Sequence, residues 1–153
     1  MIKILFVCLG NICRSPMAEG LMKKYIYEEG LDHLIHVESR ATSRYEIGNP
    51  PHPKTEAILK RENALLYGKY AQQINYQDFE MFDYIIGMDF DNVATLKHIA
   101  KQYEKKVYLL RDIDELTKGE EVPDPYYSGY YEQTYQLISQ SLKQWIDYLK
   151  KTL

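Results

Sequence analysis

Ile2-Lys3-Ile4-Leu5-Phe6-Val7-Cys8-Leu9-Gly10-Asn11-Ile12-Cys13-Arg14-Ser15-Pro16 is the stretch from which the rest of the chain is read. The run from Ile2 to Val7 has the β-branched and aromatic composition of a buried strand. Ser15-Pro16 signals a helix start, because serine can cap free amides and proline is favoured at the first helical position. A loop containing two cysteines therefore joins the carboxyl end of a strand to the amino end of a helix. In open parallel sheets, ligands bind at that edge.

Working outward, strand-like runs recur at Ile35 to Ser39, Asp83 to Met88 and Lys106 to Leu110. They alternate with helix-like stretches at Pro16 to Gly30, Pro53 to Asn63, Asp89 to Lys101 and Gly129 to Lys151. This order predicts an α/β fold with a parallel sheet covered by helices on both faces. In the last helix, Tyr131, Tyr135, Ile138, Leu142, Trp145, Ile146 and Leu149 recur at spacings of three and four, forming one apolar stripe read as core. Three further loops feed the same sheet edge: Arg40 to His52, the segment from Asp89 onward, and Arg111 to Tyr127. No repeat or linker breaks the chain, so residues 1–153 read as a single domain.

Composition narrows the function. At 153 residues, 45% hydrophobic and 27% charged, the chain suits one globular core. A net charge of −3 with no basic run argues against a nucleic-acid partner. The first apolar run is too short to cross a bilayer and no signal-peptide pattern follows it, so a cytoplasmic protein without membrane attachment is expected. Cys8 and Cys13 lie too close together to staple a secreted fold, and they read as thiols in a reducing cytosol. Fifteen tyrosines are many. Tyr25, Tyr84, Tyr108, Tyr135 and Tyr148 lie at core-like or helix-surface spacing, and the excess is read chiefly as packing. His33, His36, His52 and His98 show no zinc-type pairing with cysteine, so no metal or other cofactor is assigned.

The loop carries the chemistry. A thiol ringed by backbone N–H groups at a helix amino terminus is favoured as thiolate, which makes Cys8 the candidate nucleophile. Gly10 and Asn11 tolerate the left-handed backbone angles that turn several N–H groups toward one point. Leu9 to Ser15 thus form a nest sized for phosphate, and the planar fork of Arg14 can hold two of its oxygens. Ser15 can cap the helix, and its hydroxyl can also donate to the Cys8 sulfur. Far along the chain, Val122-Pro123-Asp124-Pro125-Tyr126-Tyr127 holds a carboxyl between two prolines, stiff enough for a positioned general acid. Taken alone, Asp124 reads first as a turn residue, Asp-Pro turns being common.

The segment Phe6 to Glu19, with Asp124-Pro125-Tyr126-Tyr127, closely resembles the low-molecular-weight protein tyrosine phosphatases. The likeness extends through Asp78-Phe79, Phe82-Asp83-Tyr84-Ile85-Ile86 and Met88-Asp89. The resemblance implies a four-stranded parallel sheet and hydrolysis of phosphotyrosine in protein substrates through a phosphocysteine. It assigns Cys8 as nucleophile, Arg14 and the loop amides as phosphate ligands, and Asp124 as acid and then base. It also implies that Asn11 fixes the loop with help from Ser39, and that Leu9, Ile12, Tyr45 and Tyr126 wall the pocket. Tyr126 or Tyr127 is, by the same likeness, a candidate target of a tyrosine kinase. One departure stands out: many relatives carry a histidine where this chain has Lys69, which leaves the bracing of Asn11 open.

Other readings use the same loop. Arsenate reduction needs further cysteines, which the chain lacks. Phosphoarginine phosphatases carry a small polar residue at the position of Ile12 and lack the tyrosine pair. A redox-sensing phosphate-binding module would use Cys8 and Cys13 as a thiol-disulfide pair. Cys13 reads equally as a small apolar filler.

Overall fold

A computed structural model describes residues 1–153. Four strands, β1 (Ile2–Cys8), β2 (Ile35–Ala41), β3 (Tyr84–Gly87) and β4 (Val107–Leu109), form one sheet in the order β2-β1-β3-β4. Every pairing is parallel, and Cys8 lies opposite Ala41 at the end of the β1/β2 register. The six helices are α1 (Arg14–Glu28), α2 (Pro53–Arg61), α3 (Tyr76–Met81), α4 (Phe90–Ala100), α5 (Pro125–Ser128) and α6 (Tyr131–Thr152).

The period of two in β1 sorts side chains onto two cores. Ile4, Phe6 and Cys8 face one, with Met17, Leu21 and Met22 of α1, Ile58 and Leu59 of α2, and Ile138, Leu142, Trp145, Ile146 and Leu149 of α6. Leu5 and Val7 face the other, with Phe79 of α3 and Leu96 and Ala100 of α4. Helices cover both faces, as the alternating pattern predicts, and the α6 stripe is core with Tyr135 half-buried against it.

Several local expectations need correction. Helix α1 begins one residue before Ser15, with Cys13 at its cap position and no side-chain cap, so Ser15-Pro16 lies inside the first turn. Gly10 is not left-handed; in the loop only Asn11 is, at φ 58°. A Cβ on Gly10 would stand 3.2 Å from Glu46 Cγ, so a larger residue there would push that side chain back by a few tenths of an ångström. The last helix starts at Tyr131, because Gly129, at φ 80°, terminates the separate short helix α5. Helix α3 is too short for periodicity to reveal, though a reciprocal capping box between Asn75 and Asp78 marks its start.

The tyrosines are also more exposed than expected. Tyr27, Tyr45, Tyr67, Tyr70, Tyr108, Tyr126, Tyr127, Tyr130 and Tyr148 are exposed, and only Tyr131 is fully buried. Packing accounts for part of the excess: Tyr84, Tyr108 and Tyr148 surround Trp145 in a cluster of mainly edge-on rings. No helix is long and apolar enough to cross a membrane.

Candidate active site

Strand β1 delivers Cys8 to the carboxyl edge of the sheet, and α1 begins six residues later with its free amides turned back toward it. Ser15 N–H approaches the Cys8 sulfur at 3.4 Å and Ser15 Oγ lies 3.1 Å from it. Because Ser15 does not cap the helix, its hydroxyl is available to the sulfur, with the Arg40 carbonyl, at 3.3 Å, as the competing acceptor. When Cys8 is a thiolate it can only accept, and the Ser15 proton has a charged partner.

Asn11 holds the loop in its left-handed turn by using its whole amide. Its Nδ2 donates to Ser15 Oγ at 2.8 Å and to Ser39 Oγ at 2.9 Å, while its Oδ1 accepts from the Gln72 amide at 3.1 Å. Ser39 passes the line on, donating to Glu19 Oε1 at 2.6 Å. Glu19 is buried and neutralised by Lys23 at 2.6 Å and Lys69 at 3.2 Å. Lys69 also donates to the Ser39 carbonyl at 2.9 Å, so the lysine braces this network where the resemblance left the bracing open. Burial lowers the Lys69 pKa, and Glu19 opposes that shift.

Arg14, only 2% exposed, ties three segments together. One terminal nitrogen donates to Asp89 at 2.7 Å and to the Val122 carbonyl at 2.8 Å; the other lies 3.4 Å from Asp124. Burial alone would lower its pKa, but Cys8, Asp124 and Asp89 together raise it, keeping the guanidinium charged. Its buried Nε has no protein partner. Asp124 serves two ends: Oδ1 caps α5 through the Tyr126 amide at 3.1 Å, and Oδ2 faces Arg14.

In front of Cys8 opens a cavity of about 220 Å³ lined by Cys8, Leu9, Gly10, Ile12, Cys13, Ser43, Tyr45, Glu46, Asp124, Tyr126 and Tyr127. All four predicted wall residues are there. Arg14 is not part of the lining. Cys13 is buried with its sulfur 3.5 Å from the Tyr131 hydroxyl, and burial pushes its pKa up to about 11 despite that contact.

Sequence reasoning assigned no role to Glu19, Asp89, Gln72 or Glu46. Glu19 was detectable, since it follows Ser15 by four residues and so shares its helix face. Asp89 follows the third strand at the same sheet edge. Gln72 acts through its backbone, and nothing in its side chain announces that.

Residues 3–153 match the family described as low molecular weight phosphotyrosine protein phosphatase. The low molecular weight protein-tyrosine-phosphatase YfkJ of Bacillus subtilis is 40% identical, over 99% of this chain and 97% of that protein. Its crystal structure superposes with a TM-score of 0.95 at 41% identity, covering 99% of this chain and 96% of the other. SP-PTP, a low molecular weight protein tyrosine phosphatase of Streptococcus pyogenes, gives 0.86 at 45% identity, covering 97% and 93% of the two chains. A Drosophila arginine phosphatase gives 0.90 at 30% identity, covering 97% and 98%.

Proposed function

The chain belongs to the low molecular weight phosphotyrosine protein phosphatases, and from that premise we propose that it hydrolyses phosphotyrosine in proteins with Cys8 as nucleophile and Asp124 as acid and base. The observation that carries this reading is that Cys8 and Asp124, far apart in sequence, line one cavity, with Arg14 beside Asp124. Cys8 attacks phosphorus as thiolate, and the bond to the phenolic oxygen breaks as Asp124 gives that oxygen its proton. Loop amides and Arg14 hold the phosphoryl oxygens through the charge they develop. Asp124, now a carboxylate, takes a proton from the water that attacks the phosphocysteine, and phosphate leaves with Cys8 restored as thiolate. The Ser15 hydroxyl stabilises the sulfur at both ends of the cycle.

Leu9, Ile12, Tyr45 and Tyr126 supply apolar wall around this cavity, which suits a phenyl ring and gives the site depth that a serine phosphate would not span. Tyr126 and Tyr127, exposed, suit a tyrosine kinase as partner, and a phosphate on either would set negative charge beside Asp124 and lower activity. A working Cys8 must stay reduced, which fits the cytoplasm. Cys8 and Cys13 line one cavity, so a sulfenic acid on Cys8 has a resolving thiol nearby; with the Cys13 thiol held neutral near pH 7, disulfide formation should quicken as pH rises.

Turnover of phosphotyrosine, phosphoserine and phosphoarginine peptides with excess chelator tests the substrate reading. Phosphotyrosine should lead, and a preference for phosphoarginine would overturn the substrate while sparing the mechanism. Asp124→Ala should slow substrates with poor leaving groups more than those with good ones; an equal effect on both would remove it as proton donor.

A further inference from the structure

Glu46 stands over the phosphate loop at the pocket wall, an arrangement that needs a reason. Its Cγ would be 3.2 Å from a Cβ on Gly10, so the stem packs close over the loop backbone. Glu46 lines the same cavity as Cys8 and Asp124. Oε2 accepts from Asn49 Nδ2 at 2.6 Å, and the group has no ion pair with any lysine, arginine or histidine. Arg44, two residues earlier, is exposed and does not line the cavity. Lys54, which stacks over Tyr131, does not line it either.

An unpaired carboxylate beside a site for a dianion cannot help to hold the phosphate. At short range it opposes that charge, so its favourable partner must lie elsewhere on the substrate. Tyr45, the adjoining residue, is 85% exposed, which puts this part of the wall at the mouth, where the peptide on either side of a phosphotyrosine must pass.

We propose that Glu46 is a specificity-determining residue that selects phosphotyrosine flanked by lysine or arginine and rejects phosphotyrosine flanked by acidic residues. The inference rests on the phosphotyrosine reading of the site and names the peptide class within it. Rim charges act mainly on encounter and on rejection of wrong partners, so the preference belongs in kcat/KM and weakens with salt.

Two otherwise identical phosphotyrosine peptides, one with arginine and one with glutamate beside the phosphotyrosine, are compared with wild type, Glu46→Gln and Glu46→Lys. Glutamine keeps an acceptor for Asn49 and the stem over Gly10, so it removes the charge while retaining the turn. Wild type should favour the arginine peptide by about three- to tenfold in kcat/KM at low salt. Glu46→Gln should bring the ratio close to one, and Glu46→Lys should invert it. Equal rates on both peptides in wild type, or a ratio that survives Glu46→Gln, would overturn the proposal. Failure to turn over either peptide would overturn the phosphotyrosine reading along with it, whereas turnover without discrimination overturns the charge selection alone.

Discussion

The wall behind Cys8 is a line of hydrogen bonds from Ser15 through Asn11, Ser39 and Glu19 to Lys69, its members buried or nearly so. The mouth in front of Cys8 is made of side chains that mostly meet water: Tyr45, Tyr126 and Tyr127 are 85%, 56% and 76% exposed. Buried polar groups are expensive to leave unpaired, so the rear wall admits one arrangement and holds the loop in it. Exposed rings hold nothing in place, and exchanging them alters what is gripped rather than how it reacts. On the proposed function, reaction and substrate choice belong to separable parts of one pocket, and substitutions on the two sides should differ in kind as well as size.

The largest effect belongs to the atom both regions serve. Cys8→Ser should lower hydrolysis of an aryl phosphate by at least about 10⁴-fold, measured with chelator present, because serine at neutral pH is a far weaker nucleophile. Metal-independent turnover near wild type would break the comparison at its centre. Next in size is Asn11→Ala, which removes three hydrogen bonds and places alanine at φ 58°. We expect kcat to fall by about 10²-fold, the scale seen when a preorganised donor is lost. Asn11→Gly separates the causes, since glycine accepts the backbone angle but restores no bonds. If glycine rescues kcat, the rear wall acts through strain relief and not through hydrogen bonding.

Lys69→Met tests the far end of the line. Glu19 would keep Lys23 but lose its inner cation, and the Ser39 carbonyl would lose a donor. Stability should drop by about 1–2 kcal/mol in urea unfolding, with a smaller, about three- to tenfold, decrease in kcat. An unchanged kcat would end the network at Glu19. Lysine was visible in the sequence, but its role was not, because that role depends on the loop after α2 folding back across β2, a contact between positions thirty residues apart. The strand, the loop and the nucleophile were legible because they lie within fifteen consecutive residues. That Cys13, without a side-chain cap, holds the cap position in place of Ser15, and that Glu46 packs against Gly10, were not: neither follows from local preference.

Cys13 probes the boundary between the two regions. Its pKa rises from 9.0 to about 11 on folding, chiefly by burial, so the folded state favours the neutral thiol. The associated stability is fully present below pH 9 and is lost as pH climbs toward 11, because the unfolded chain ionises first. Urea midpoints measured from pH 8 to 11 should therefore fall more steeply for wild type than for Cys13→Ala. Parallel curves would mean that the thiol meets solvent as freely as the mouth does.

The smallest effect is expected at Tyr45. Tyr45→Ala strips an exposed ring from the pocket wall while leaving the loop, the buried line behind it and the sheet untouched. The unfolding midpoint should stay within the scatter of a surface substitution, about 0.5 kcal/mol. KM for a phosphotyrosine peptide should rise by about three- to tenfold, in keeping with the loss of one aromatic contact, and should change more than kcat does. Asn11→Ala should give the opposite split, with kcat taking most of the loss. If both variants lowered kcat alone, the mouth would be part of the reacting machinery, and the division between a wall that fixes chemistry and a rim that chooses substrate would fail.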